Sequence, residues 1–279
     1  MRVMRGKKTL KNIVVYAIGI TMLCIALYPY LYMLFNSLAP WDQVDKGFMP
    51  SEFTLRSYQW LIFGDKGVAT KPWIKAFFNS LFVTLSSTLL MMLFGIMIAY
   101  ALAKVNFKGR KKVDSFIMFQ MFFPTMILLI PQFLVVKNMG IYNTYAAMIV
   151  PKAMSLWAVF LYTNFFKALP DEIIEAARID GAGTYTIIRK VVLPMSRSIT
   201  TIIFLFLFME RWVELLWDMI AVKNIQLQTI NVLLAQMFGP YQAYPGPMYA
   251  GTVILTMPIL ILFIVFRKNF TKGIQFVLK

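Results

Sequence analysis

The chain has 279 residues and a formal net charge of +16; 59% of its residues are hydrophobic and 14% are charged. Soluble domains average about 45–50% apolar and ~25% charged residues. The chain has no histidine and one cysteine, Cys24, which excludes imidazole-based catalysis or metal binding and a disulfide bond within the chain. The composition predicts an all-α, polytopic membrane protein, because long apolar segments cross a bilayer as helices.

Six apolar segments are long enough to cross a bilayer core, for which a helix needs about 20 residues. They are residues 13–35, 76–103, 115–136, 145–166, 198–221 and 248–266. The first segment is longer than the ~7–15-residue apolar region of a cleavable signal peptide, so we expect it to remain as the first span. The sequence thus predicts a basic N-terminus, residues 1–12, followed by a single transmembrane domain, residues 13–279.

The basic residues are distributed unequally between the two sets of segments that alternate along the chain. The N-terminus, the second and fourth connections and the C-terminus hold 19 lysines and arginines, whereas the other three connections hold 6. Cytoplasmic segments carry an excess of these residues, which predicts that both termini are cytoplasmic. The positive net charge is therefore explained by topology and does not indicate nucleic-acid binding.

The connection 169–194 has the pattern of two short helices. Pro170 precedes an acidic first turn, which is typical of a helix start, and Gly181 is placed to end that helix in a left-handed conformation. The spacing puts Ile173, Ala176 and Ala177 on one face, opposite the charged residues. The sequence predicts a helix-turn-helix that lies across the cytoplasmic face.

Six residues of this connection resemble the EAA motif of binding-protein-dependent ABC importer permeases: Glu175, Ala176, Ala177, Gly181, Leu193 and Pro194. Further segments resemble the carbohydrate branch of that family, in particular its six-span maltose-type subunits: residues 79–81, 99–103, 107–110, 140–144 and 212–217. Val213 stands where the branch has an asparagine. The similarity extends over residues 76–273.

The resemblance implies a transport subunit rather than an enzyme, in a bacterial inner membrane. The six motif residues would form a coupling loop that docks on a separate cytoplasmic ATPase, present in two copies. The ATPase would bind ATP and Mg²⁺, and this chain would bind no cofactor, in accord with the absence of a phosphate-binding G-x-x-x-x-G-K-[ST] sequence. The expected further partners are a second permease subunit, forming a heterodimer, and an extracytoplasmic sugar-binding protein.

Five charged residues fall within the predicted spans: Lys152, Glu210, Arg211, Glu214 and Asp218. Charges within a bilayer are costly and usually face protein or water, so these residues are candidates for the wall of a translocation path. The acidic three share a face by i, i+4, i+8 spacing, and Arg211 is placed to pair with Glu214. The alternatives are an outer interfacial position for the fifth-span charges and a snorkelling role for Lys152.

Aromatic residues near the outer face have two interpretations each. Tyr241 and Tyr244 lie in a Gly- and Pro-rich loop that, by the resemblance, contacts the binding protein, although an interfacial aromatic belt would have the same composition. Trp212 and Trp217 suit either interfacial anchors or sugar-stacking platforms.

Two classes of function are consistent with the sequence alone. The first is an importer permease for an oligosaccharide, neutral by default and acidic, uronate-containing, as the second option. The alternative is an integral-membrane glycosyl or lipid-linked sugar transferase that uses an acidic residue of the fifth span as a base. A passive channel would not explain the coupling loop.

Overall fold

The computed structural model describes residues 2–64, 71–237 and 245–277, with side chains for 12–64, 71–237 and 245–267. All regular elements in these ranges are helical, which confirms the predicted all-α fold. The α-helices are α1 (Arg2–Ser37), α2 (Arg56–Phe63), α3 (Trp73–Lys104), α4 (Arg110–Gln120), α5 (Leu129–Asn138), α6 (Tyr145–Ile149), α7 (Leu156–Lys167), α8 (Asp171–Ile179), α9 (Thr184–Ile187), α10 (Leu193–Met195), α11 (Arg197–Trp212), α12 (Leu216–Ala221), α13 (Ile230–Ala235) and α14 (Pro245–Val277). Short 3₁₀ turns occupy Thr125–Leu128 and Val150–Lys152, and a π turn occupies Ile188–Val192.

Within these ranges, four helical stretches are long and apolar enough to cross a membrane: Asn12–Ser37, Trp73–Lys104, Tyr145–Lys167 and Pro245–Arg267. Two further stretches qualify only as bent pairs. Arg110–Gln120 meets Thr125–Asn138 at 96°, and Thr184–Met195 meets Arg197–Trp212 at 87°. The described part of the chain therefore contains between four and six candidate spans.

The predicted span 115–136 is not a continuous helix. The break falls at residues 121–124, and Pro124 adopts an extended conformation with φ −61° and ψ 123°. A proline has no N–H to donate to the preceding turn and disfavours a helical conformation in the residue before it. The predicted span 198–221 is also interrupted, because α11 ends at Trp212 and α12 begins only at Leu216.

Contacts within the chain group its residues into two compact units. One unit contains Ile74–Leu233 and Met257–Lys279. Its main apolar core is formed by side chains of α3, α7, α8, α9 and α11, including Tyr100, Tyr162, Phe166, Ile174 and Leu207. This core packs the connection 169–194 directly against the membrane-spanning helices.

The other unit contains Met1–Trp73 and Leu234–Thr256. Here the Asp45 carboxylate accepts hydrogen bonds from the hydroxyls of Tyr32, at 3.0 Å, and Tyr249, at 2.6 Å. A Cβ at Gly246 would lie 2.5 Å from the Ser57 hydroxyl, so the start of α14 packs too closely for a side chain. These contacts tie the connection between α1 and α2 to α1 and α14.

Candidate translocation cavity and coupling loop

Three of the predicted spans are interrupted where they line one cavity of about 490 Å³. The interruptions lie at residues 121–124, 150–155 and 213–215. Polar or aromatic side chains of the cavity lining include Gln120, Thr125, Gln132, Lys152, Ser155, Trp157, Glu210 and Glu214. Irregular backbone at membrane depth is tolerated only where protein covers it or where it borders a water-filled cavity.

Lys152 and Glu214 form an ion pair in this lining, with 2.8 Å between Nζ and Oε2. Both residues lie in interruptions of their helical segments, and both side chains are partly exposed. Glu214 also accepts a hydrogen bond from the backbone N–H of Trp217 at 3.2 Å. The structure thus places Lys152 on the cavity and pairs Glu214 with it, not with Arg211 as the sequence spacing predicted.

Glu210 is an exposed residue at the C-terminal end of α11, and it also lines the cavity. Among the residues whose side chains are described, the Glu210 carboxylate has no hydrogen-bond or ion-pair partner. The amide nitrogen of Gln132 is buried and likewise has no partner there. Buried polar groups nearly always have a partner, so the cavity lining holds both an acceptor and a donor that the described residues leave unpaired.

Arg211 and Asp218 lie elsewhere and do not line the cavity. The Arg211 guanidinium donates to both Asp218 carboxylate oxygens, at 3.1 and 2.7 Å, and each side chain is 2% exposed. Arg211 also donates to the Ser87 hydroxyl and to the Met148 carbonyl, both at 3.3 Å. The prediction that Glu210, Glu214 and Asp218 share one helix face is wrong. The helix α11 ends at Trp212, so Glu210 and Asp218 belong to different helices.

Trp212 and Trp217 are also buried, each only 1% exposed. Trp212 stacks on Phe208 with 5.8 Å between ring centroids, and the Trp217 indole donates to the Ala147 carbonyl at 3.0 Å. Neither tryptophan has an open ring face that could stack on a sugar. Trp157, which the sequence did not single out, lines the cavity together with the buried Trp217, and of these two tryptophans Trp157 is the partly exposed one.

The connection 169–194 contains the two helical segments that its sequence predicted, α8 and the stretch Thr184–Met195. Gly181 lies between them with φ +80°, and the N–H of Ala182 donates to the Ala177 carbonyl at 2.9 Å. This left-handed glycine and hydrogen bond end α8 as the sequence indicated. Leu193 packs against the main core, and Pro194 is exposed just before the 87° bend.

The face that α8 buries differs from the predicted one. Ile174 is buried in the main core and Ala177 packs against that core, whereas Ile173, Ala176 and Ile179 are exposed, Ile179 by 86%. The spacing i, i+3 of Ile174 and Ala177 sets the inner face. Glu172 and Glu175 are exposed as well, so the outer face of α8 combines two carboxylates with three apolar side chains.

A charged contact fixes the start of α8 to the end of α3. Lys104 Nζ donates to the Leu169 carbonyl at 2.7 Å and to the Asp171 carboxylate at 2.5 Å. The hydrogen bond from Lys104 holds the pKa of the Asp171 carboxyl below its ordinary value. Lys104 therefore links the start of α8 to the end of α3.

The two remaining predicted site residues, Tyr241 and Tyr244, lie outside the described residues. The sequence interpretation also missed Gln132 and Trp157 of the cavity. Pro124 and Pro151 are the sequence features that could have indicated this cavity, because each lies at a break that lines it.

Comparison with known proteins identifies the family. The model of the family described as binding-protein-dependent transport system inner membrane component matches residues 91–275. The arabinooligosaccharides transport system permease protein AraQ of Halalkalibacterium halodurans is 31% identical over 255 residues, 90% of each chain. The inner membrane ABC transporter permease protein YcjP of Escherichia coli is 28% identical over 274 residues, 96% of each chain.

A solved structure shares the fold. A chain of a bacterial ABC transporter involved in the import of the acidic polysaccharide alginate superposes with a TM-score of 0.81 at 24% identity, covering 95% of this chain and 97% of that one.

The family is described as an inner membrane transport component and both relatives are named as permeases, which argues against the alternative of a membrane transferase. Membership also implies an ATPase and a binding protein as partners. The chain belongs to the family of binding-protein-dependent transport system inner membrane components, and it is a permease subunit of an ABC importer rather than an enzyme.

Proposed function

We propose that this chain is one of two different permease subunits of an importer that moves an oligosaccharide into the cytoplasm. A binding protein would deliver the sugar, with Tyr241 and Tyr244 as its contacts, and a pair of ATPases that bind ATP and Mg²⁺ would drive alternating access. The similarity to AraQ, named for arabinooligosaccharides, and to a chain of the alginate importer supports a saccharide as the substrate class.

The cavity bordered by three interrupted segments is the observation that carries this proposal. Transporters commonly bind substrate where membrane helices are discontinuous. The volume of about 490 Å³ lies within the ~300–1,000 Å³ typical of small-molecule sites. The Glu210 carboxylate and the Gln132 amide suit sugar hydroxyls, and the Trp157 ring suits the apolar face of a sugar.

The charges of the cavity favour a neutral saccharide. Glu214 neutralises Lys152 at 2.8 Å, which leaves Glu210 as an uncompensated negative charge on this wall. A uronate would meet repulsion from that carboxylate. The acidic option is supported by Lys152 and by the similarity to a transporter involved in alginate import, and it requires Lys152 to leave Glu214 when the substrate arrives.

Transport by the reconstituted importer tests the substrate class. Replacing Glu210 by glutamine removes a charged hydrogen-bond acceptor, which is worth about 1.5–3 kcal/mol. For a neutral oligosaccharide we therefore expect the half-saturating concentration to rise about tenfold or more, and Glu210→Asp to retain part of the affinity.

Uptake of a uronate oligosaccharide provides the opposite outcome. If the wild-type importer prefers the uronate and Glu210→Gln improves that uptake, the substrate is acidic. If neither sugar responds to Glu210→Gln, the cavity wall is not part of the path.

Coupling to the ATPase is assigned to the outer face of α8. Ile173, Ala176 and Ile179 are exposed around Glu175, an arrangement that fits a small apolar groove with a basic residue beside it. The opposite face packs into the core through Ile174, and Lys104 links the start of α8 to α3. A motion of the ATPase would therefore reach the membrane helices through rigid contacts.

Co-purification of the ATPase tests this assignment. Glu175→Lys reverses a charge on the proposed docking face, so we expect at least a tenfold loss of bound ATPase and of substrate-stimulated ATP hydrolysis. Glu52→Lys makes the same charge change on an exposed residue in the connection predicted to be extracytoplasmic, and it should leave both quantities unchanged. Equal binding by the two variants would exclude α8 as the docking element.

A further inference from the structure

A second cavity, of about 710 Å³, lies at the ends of α3 and α7 and at the start of α4. Four basic side chains line it, namely Arg110, Lys111, Lys112 and Lys167, together with one carboxylate, Asp114. The formal charge of this lining is therefore strongly positive. None of its lining residues lines the candidate translocation cavity or belongs to α8.

The described contacts leave most of this positive charge unneutralised. Asp114 is already paired with Lys167, at 2.8 Å between Oδ2 and Nζ. Arg110 donates only to neutral acceptors, the Ala103 carbonyl at 3.2 Å and the Asn106 amide oxygen at 3.3 Å. Lys111 and Lys112 are exposed and have no acidic partner among the described side chains.

The backbone at the start of α4 adds to the positive potential of this cavity. Three consecutive basic residues occupy the first turn of α4, which has no acidic residue and no side-chain cap at Gly109. The N-terminal end of a helix carries a partial positive charge, so cations there repel it. The sequence thus concentrates positive charge at a helix end that disfavours it. A bound anion would reduce the repulsion among the basic side chains and their repulsion by the helix end.

The position of the cavity relates it to the bilayer. The candidate spans Trp73–Lys104 and Tyr145–Lys167 both end beside it. Apolar side chains of α4 follow directly after the basic turn, and Phe116 and Phe119 are 63% and 60% exposed. A basic site at the end of two spans, continued by an exposed apolar surface, matches a lipid with an anionic head group and acyl chains.

We propose that this cavity binds the phosphate of an anionic phospholipid, in the leaflet facing the predicted cytoplasmic side. Arg110 is held by two hydrogen bonds in a position to bind phosphate oxygens through its planar guanidinium. Lys111, Lys112 and Lys167 supply further ammonium groups. The acyl chains lie along the exposed aromatic residues of α4.

Lipid retained by the purified importer complex tests this site. The complex is reconstituted in nanodiscs that contain phosphatidylcholine and phosphatidylglycerol, and bound lipid is counted by native mass spectrometry after release. We expect the double variant Lys111→Gln with Lys112→Gln to lose one phosphatidylglycerol per copy of this chain. Asp114→Asn removes the competing carboxylate and frees Lys167, so it should retain the lipid at a lower phosphatidylglycerol fraction than wild type.

A matched control separates this site from the effect of net charge. Lys137→Gln with Lys223→Gln removes the same charge from exposed residues outside the cavity and should leave lipid retention unchanged. Equal retention by all the variants would overturn the proposal and leave the basic turn with only a topological role. Displacement of the lipid by millimolar inorganic phosphate would overturn the lipid assignment and indicate a site for free phosphate.

Discussion

Arg211 and Asp218 illustrate, at the level of single residues, a structural use of charge inside a membrane protein. The pair is 2% exposed on both sides, and Arg211 connects it to Ser87 of α3 and to the Met148 carbonyl of α6. These contacts bridge the interruption at residues 213–215. The pair therefore fixes the local bend that positions Glu214, although neither of its residues lines the cavity.

Loss of one partner from this pair should destabilise the protein strongly. Breaking a buried ion pair leaves an uncompensated charge and costs about 3–5 kcal/mol. We expect Asp218→Leu to lower the melting temperature of the chain in detergent, and the double variant Arg211→Met with Asp218→Leu to recover most of the loss. Lys167→Met breaks a pair that is 40% and 36% exposed and should cost at most ~1 kcal/mol.

If the single and double variants melt alike, the pair contributes nothing beyond the volume of its side chains. If Lys167→Met costs as much as Asp218→Leu, burial does not determine the strength of these ion pairs.

Among the elements, the turn between α8 and α9 offers a pair of glycines in different conformations. Gly181 has φ +80° and Gly183 has φ −70°, and a Cβ at either position would meet nothing within 4 Å. Steric clash with neighbouring atoms therefore cannot distinguish the effects of alanine at the two positions, whereas the difference in backbone conformation can.

Alanine at these two positions should act in opposite directions. A left-handed conformation costs an L-residue about 1–2 kcal/mol, so Gly181→Ala should destabilise the protein by that amount and weaken ATPase coupling. Gly183→Ala is compatible with its conformation and should stabilise by about 0.4–1 kcal/mol through the unfolded state. Thermal unfolding in detergent and ATP hydrolysis by the complex measure the two effects, and equal losses would contradict the assigned left-handed turn.

The sequence predicted the helices better than it predicted their interruptions. Apolar length locates a span because the bilayer requires it, and Gly181 with its neighbours predicted the two helical segments of the connection 169–194. The breaks at 121–124 and 213–215 were missed because hydropathy does not register where backbone hydrogen bonds stop. Likewise, the i, i+3 spacing predicted a pair between Arg211 and Glu214, which assumes a continuous helix. Because α11 ends at Trp212, Arg211 instead contacts Asp218.

At the scale of the whole molecule, two connections that differ in basic content lie at opposite ends of α3. Near its start, the Asn79 amide donates to the carbonyls of Gln226 and Gln228, both at 3.0 Å. At its other end, Lys104 holds the start of α8. The connection poor in basic residues thus lies at one end of α3 and a connection rich in them at the other, as the charge distribution predicted.

Cysteine labelling tests which end faces the cytoplasm. The single native cysteine, Cys24, can be removed as Cys24→Ala to give a chain without thiols, in which new cysteines report one position each. With both termini cytoplasmic, a membrane-impermeant maleimide should label Lys137→Cys and Lys223→Cys in intact cells. Lys108→Cys and Arg189→Cys should react only after lysis, because the excess of positive charge retains their segments inside. Labelling of Arg189→Cys before lysis, with protection of Lys223→Cys, would reverse the orientation and place the proposed ATPase face outside the cell, where no ATP-driven import could use it.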